Sequence, residues 1–234
     1  MGKVEALRGE LRALPRADWL AFLHQHSGLP GPRGNIELGQ AFAEEAGETE
    51  VEAALACGGE FGTFCGAIGL GRLLADRHRP ELVERLRGLA GDQRWRVREG
   101  VAMALQRLGD AEPGRLHALA SAWATDEDPL VQRAAAAGIC EPRLLRVPEA
   151  AAVAVEVCRV ATAALAARPA GTRREPGVRA LRQALGYCWS VAVAADPGPG
   201  LVAFGALERT GGGDPDVAWV VRENLTKKRL ARLR

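Results

Sequence analysis

A chain of 234 residues with 47% hydrophobic content and a net charge of +2 carries enough apolar surface to bury a core without staples, and as a whole it is not a polyanion magnet. Its five cysteines (Cys57, Cys65, Cys140, Cys158, Cys188) are scattered and odd in number, with no C-x-x-C pair. That argues against a disulfide framework and for a reducing, cytoplasmic setting, with each thiol expected in a buried, small-hydrophobe role. The first ten residues hold no apolar leader core, and the apolar run near Ala150 to Val157 is broken by Glu156, so neither an exported chain nor a membrane partner is expected.

In chain order, Val4 to Leu14 and Arg16 to His26 read as a helical pair. Ser27 to Asn35 follows with three glycines and two prolines, which forbid a regular element. It is either a plain connector, the reading its composition favours, or an anion-holding nest built from successive N–H groups and Arg33. Asn35 should cap a helix through Ala46, and Thr49 another toward Cys57. A Gly-rich helical stretch follows, E-F-G-T-F-C-G-A-I-G-L-G-R-L-L, and after it Pro80 to Leu89. From Trp95, the residues Val97, Val101, Ala104, Leu105 and Leu108 form one apolar helical stripe that Gly109 should end. Pro113 to Trp123 and Pro148 to Ala167 read as partner helices, with Gly200 to Arg209 as a third. Pro129 after Asp126 and Asp128, and Pro215 between Asp214 and Asp216, place proline in a first turn where its missing N–H costs nothing and acids cap the helix. No segment alternates with period two, so the expected class is all-α.

The pentad Trp-x-Val-Arg-Glu occurs at Trp95 to Glu99 and again at Trp219 to Glu223, each copy three residues after an aspartate, Asp92 or Asp216. D-E-D-P-L-V-Q-R from Asp126 is a related copy and P-G-V-R-A-L-R-Q-A-L-G from Pro176 a looser one. Aligned on Val97, Val131, Val178 and Val221, these step by 34, 47 and 43 residues, spacings that suit one helix pair per repeat. With their Asp, their Val-Arg or Val-Gln pair and the apolar residues that follow, they resemble the HEAT repeat family from about Phe61 to Leu230. The resemblance implies a HEAT-like α-solenoid of stacked antiparallel helix pairs: a single domain over 1–234, with atypical helices in 1–57 and repeats with a basic C-terminal cap in 58–234. It also implies a scaffold that binds a protein or nucleic acid in a concave groove. A narrower similarity of parts, without the catalytic motif, links the tryptophans, carboxylates and basic residues to the HEAT-like alkylpurine DNA glycosylases of alkylation repair.

Four residues separate Trp from Glu in each pentad, so both emerge on one helical face. Trp95, Arg98 and Glu99, and Trp219, Arg222 and Glu223, are therefore candidate contact stations, able to stack on a base or a partner's aromatic. The bland alternative packs each Trp over a neighbouring helix and spends its Glu and Arg on salt bridges. Tyr187 in G-Y-C-W-S is the expected wall residue there, with Trp189 in the core. Residues 1–150 carry net charge −4 and residues 151–234 net +6, and in the tail Lys227, Lys228 and Arg229 join Arg222 as candidate phosphate contacts. Asn224 is either a ligand contact or a local cap, and Arg133, Glu141 and Arg143 suggest an ion-pair network. His24 and His26 are two apart while His78 and His117 stand alone, so no metal site and no cofactor is expected. The function that follows is a non-catalytic binding scaffold; the alternative is a repair glycosylase using Glu99 or Glu223.

Overall fold

The computed structural model describes residues 2–31, 33–77 and 79–233; His78 and Arg234 lie outside them. Its regular elements are helices, and no strand occurs among the described residues. They gather into two compact units, residues 1–111 and 112–234.

The first unit comprises α1 (Lys3–Ala13), α2 (Trp19–Gln25), α3 (Ile36–Glu45), α4 (Glu48–Ala56), α5 (Glu60–Asp76), α6 (Pro80–Ala90) and α7 (Trp95–Ala111). Asn35 caps α3 as expected, its side chain accepting from the Leu38 N–H at 3.1 Å. Thr49 does not cap α4. The helix starts two residues earlier than that cap would give, with Gly47 as N-cap, and the Glu50 carboxylate reaches back to accept the Gly47 N–H at 2.7 Å, a stronger bond than a hydroxyl offers. Helices α3, α5 and α7 lie side by side, with α1 against α3, α4 against α5, and α6 against α5 and α7. The α5–α7 contact is backbone-close: a Cβ on Gly71 would lie 2.4 Å from the Ala104 Cα. Only glycine permits that approach. Gly109 does not end α7, which continues to Ala111 with Gly109 buried within it.

The second unit comprises α8 (Pro113–Ala124), α9 (Pro129–Ile139), α10 (Pro148–Ala166), α11 (Pro176–Ala195), α12 (Pro197–Gly211), α13 (Pro215–Leu225) and the short α14 (Lys228–Ala231). Proline opens every helix from α8 to α13, in the position where its ring is pre-set for helix and no donor is lost. Helices α9, α11 and α13 form one row, α8, α10 and α12 pack as the second, and α14 closes on α11 and α13. Each row buries the stripe that its neighbour covers, the packing of stacked helix pairs. The Trp189 indole, fully buried inside it, donates to the Thr162 hydroxyl at 2.9 Å.

Candidate functional site

The two pentads look equivalent in sequence and are not equivalent in space. Trp95 is the first residue of α7, whereas α13 starts at Pro215 and carries Trp219 in its second turn. By helix start, the buried Val97, Val131 and Val178 are matched by the buried Val217, not by Val221, which is half-buried. The second pentad is therefore displaced by one helical turn. The Asp214 side chain, accepting the Asp216 and Val217 N–H groups at 3.0 and 3.1 Å, occupies the capping role that Asp128 takes on α9.

That displacement gives Trp219 different surroundings from Trp95. A Cβ on Gly186 of α11 would meet the Trp219 ring at 2.7 Å and the Glu223 Cγ at 3.0 Å, so both side chains rest on the α11 backbone. The Arg182 guanidinium covers the Trp219 ring at 4.8 Å, in the place sequence spacing assigns to Arg222. Arg182 in turn donates to the buried Asp216 at 2.7 Å, which also receives Arg173 at 3.1 Å. Arg173 pairs with Asp214 at 2.6 Å and holds that carboxyl below its ordinary range, against the opposing effect of burial. Glu223 pairs with Lys227 at 2.5 Å. Asn224 is fully buried, accepting the Ser190 N–H and donating to the Leu185 and Val220 carbonyls, a bridge between α11 and α13 out of a ligand's reach.

Around this packed centre lies an exposed rim. Tyr187 is 44% exposed, its hydroxyl accepting from Arg229 at 2.8 Å while the same guanidinium lies 4.8 Å from its ring. Arg179 and Gln183 continue the exposed face of α11, and Arg222 and Lys228 are exposed on α13 and α14. The second unit thus joins Tyr187, Trp219, Glu223, Lys227 and Arg229 into one contiguous surface of aromatics and cations. Arg182, Arg173 and Gly186 complete it. In sequence, Arg173 and Arg182 stand out only as the ends of a basic segment near Tyr187, and Gly186 as a glycine inside an otherwise helical run, which marks close approach but not of what.

Trp95, Arg98 and Glu99 belong to the first unit. The indole is 47% exposed, with the Arg98 guanidinium 5.7 Å from its ring. Arg98 also donates to the Asp92 and Gln93 carbonyls at 2.6 and 2.9 Å, and Glu99 pairs with Arg96 at 2.9 Å. Trp95 stands at the mouth of a cavity of about 620 Å³ bounded by α2, the segment after it, and the starts of α5 and α7. Of the Ser27 to Asn35 segment, Ser27, Leu29, Pro30 and Gly31 line the cavity wall. Cys57 lines the same space and is exposed, contrary to the buried role expected for all five thiols; the other four are buried. It is the C-cap residue of α4, and its thiol donates to the Ala54 carbonyl.

Among the described residues no group of three or more His, Cys, Asp and Glu side chains is arranged to hold a metal ion, and no helix is long and apolar enough to cross a membrane. Compared with protein families, residues 67–140 match HEAT repeats. No curated protein and no solved structure matches the chain.

Proposed function

We infer that this chain, whose residues 67–140 match HEAT repeats, is a non-catalytic binding module, and that its α11–α13–α14 surface holds the phosphate backbone of a nucleic acid. The supporting observation is the exposed rim of Arg179, Tyr187, Arg222 and Lys228 around a centre whose own charges are already paired. Exposed cations on a rigid helical surface attract phosphates without reading sequence, and Tyr187 beside Arg229 adds a flat, partly apolar contact. Trp219 acts here as support: with Gly186 on one side and Arg182 over the ring, it holds the surface in shape. Glu99 and Glu223 each lie against a cation, Arg96 and Lys227, an arrangement that favours holding over chemistry.

The test is anisotropy titration of a labelled DNA duplex across about 50 to about 200 mM salt. The expected result is binding that weakens with salt, with Arg222→Glu plus Lys228→Glu lowering the salt slope by about two, one per lost phosphate contact. Absent binding at low salt, or binding indifferent to salt, rejects the nucleic-acid partner in favour of a protein one. Release of N7-methylpurine from alkylated DNA, abolished by Glu99→Gln or Glu223→Gln, rejects the non-catalytic reading.

A further inference from the structure

The cavity beside Trp95 has the size and lining of a small-molecule site, and the nucleic-acid reading makes no use of it. At about 620 Å³ and half open to solvent, it has room for a drug-sized ligand. Its floor is apolar, built from the buried Leu23 and Phe61 and the half-buried Leu20 and Leu29. Its mouth carries the exposed Trp95 ring and the exposed Cys57 thiol.

The charges of the lining identify what such a floor would be paired with. Two formally charged side chains face the space besides the rim imidazole of His24, namely Glu60 and Arg96. The Arg96 guanidinium is engaged by Glu99 at 2.9 Å, and Arg94 nearby is engaged by Asp92 at 2.6 Å and by the Gly58 carbonyl. The Glu60 carboxylate accepts a single long bond, from the Arg96 backbone N–H at 3.3 Å, and interacts with Arg94 through space only, without an ion-pair contact among the described residues. A half-buried carboxylate with an oxygen to spare, set in an apolar pocket with an exposed indole, is matched by a cation that brings its own apolar body.

We propose that the first unit binds a small organic cation, with its ammonium group against Glu60 and its aryl or alkyl body against Leu20, Leu29 and Trp95. The proposal is independent of the nucleic-acid surface, which belongs to the other unit.

Cys57 supplies the assay. Alkylation needs an accessible thiolate; the other four thiols are buried, that of Cys65 is pushed up by burial, and those of Cys140 and Cys188 are pushed up first by hydrogen bonding with Cys158 and Cys140 respectively and then by burial. On the full chain, the rate of Cys57 alkylation by iodoacetamide is followed by peptide mass spectrometry against three probes of one shape: phenethylamine, 2-phenylethanol and phenylacetate. Phenethylamine is expected to slow alkylation saturably, with the alcohol about tenfold weaker and the carboxylate weaker still, as loss of a charge-assisted contact implies. Glu60→Gln, whose amide oxygen still accepts the Arg96 N–H, should erase the preference for the amine. Equal protection by amine and alcohol, stronger protection by phenylacetate, no protection by any probe, or an amine preference that survives in Glu60→Gln would each overturn the proposal. The wild-type probe series decides alone if that variant fails to fold.

Discussion

The close approach of α5 and α7 gives a prediction in which two opposed effects can be weighed. An alanine at Gly71 gains helix propensity, worth about 1 kcal/mol relative to glycine in a helix interior. Its Cβ, however, would stand 2.4 Å from the Ala104 Cα, 2.6 Å from its carbonyl oxygen and 2.7 Å from its Cβ, against about 3.5–4.0 Å for an ordinary carbon contact. The obstacle is backbone, so no rotamer change relieves it, and the helices must part by about 1 Å or more. Overpacking of this kind costs about 1–3 kcal/mol, and the parting also loosens the Gly100–Phe64 contact along the same interface. The upper end applies, leaving Gly71→Ala a net destabilisation of about 1–2 kcal/mol. Gly88 on α6 is the control: it is exposed, a Cβ there meets nothing within 4 Å, and Gly88→Ala should stabilise by about 0.5–1 kcal/mol. Urea unfolding of both variants beside the parent chain is the assay. A Gly71→Ala protein as stable as the parent, or more stable than Gly88→Ala, would refute the packing argument.

Three further outcomes follow from the same contacts. Asn224→Ala removes one accepted and two donated hydrogen bonds at a fully buried site and should lower unfolding stability by about 2–3 kcal/mol, read from urea midpoints. Asp92 and Asp214 are held below their ordinary carboxyl range, chiefly by Arg94 and Arg173 respectively, so the folded state binds fewer protons than the unfolded chain. Their contribution is complete above the ordinary carboxylate range and is lost as pH falls through the depressed folded values, below about pH 4. Asp214→Asn should flatten that acid limb while the midpoint stays level between about pH 6 and 8; an unchanged limb contradicts the assignment. Trp95→Leu should remove the largest acrylamide-quenchable part of the indole fluorescence, since Trp19, Trp123 and Trp189 are buried and Trp219 is half-covered. Loss of the quenchable part in Trp219→Leu instead would contradict the placement of both rings.

The helices were legible because their signals are local. Proline at a first turn, an aspartate before it and an apolar stripe at i, i+3 and i+4 act within one or two turns, and they place α6 and α8 to α13 within a few residues. Thr49 and Gly109 show where local rules fall short. The cap at Thr49 is outcompeted by a carboxylate three residues into the helix, and Gly109 stays helical because packing against neighbours outweighs its propensity cost. The candidate site was legible as a list of residue types and much less as an arrangement. Tyr187 and Trp189 sort to surface and core as alternation around a helix requires, yet Arg182 rather than Arg222 covers Trp219, and Asn224 turns inward.

By itself, then, the sequence determined the helical class, the repeat character and the basic, aromatic content of the C-terminal segment, because periodicity and capping are written within each helix. Tertiary structure alone decided that the two copies of the Trp-x-Val-Arg-Glu pentad differ in their surroundings. Their registers are set by where each helix starts and by what lies beneath it, a glycine backbone under Trp219 and an open cavity beside Trp95. Contacts between helices tens of residues apart leave no trace in a five-residue motif, so one tryptophan became support and the other stayed at the mouth of a pocket.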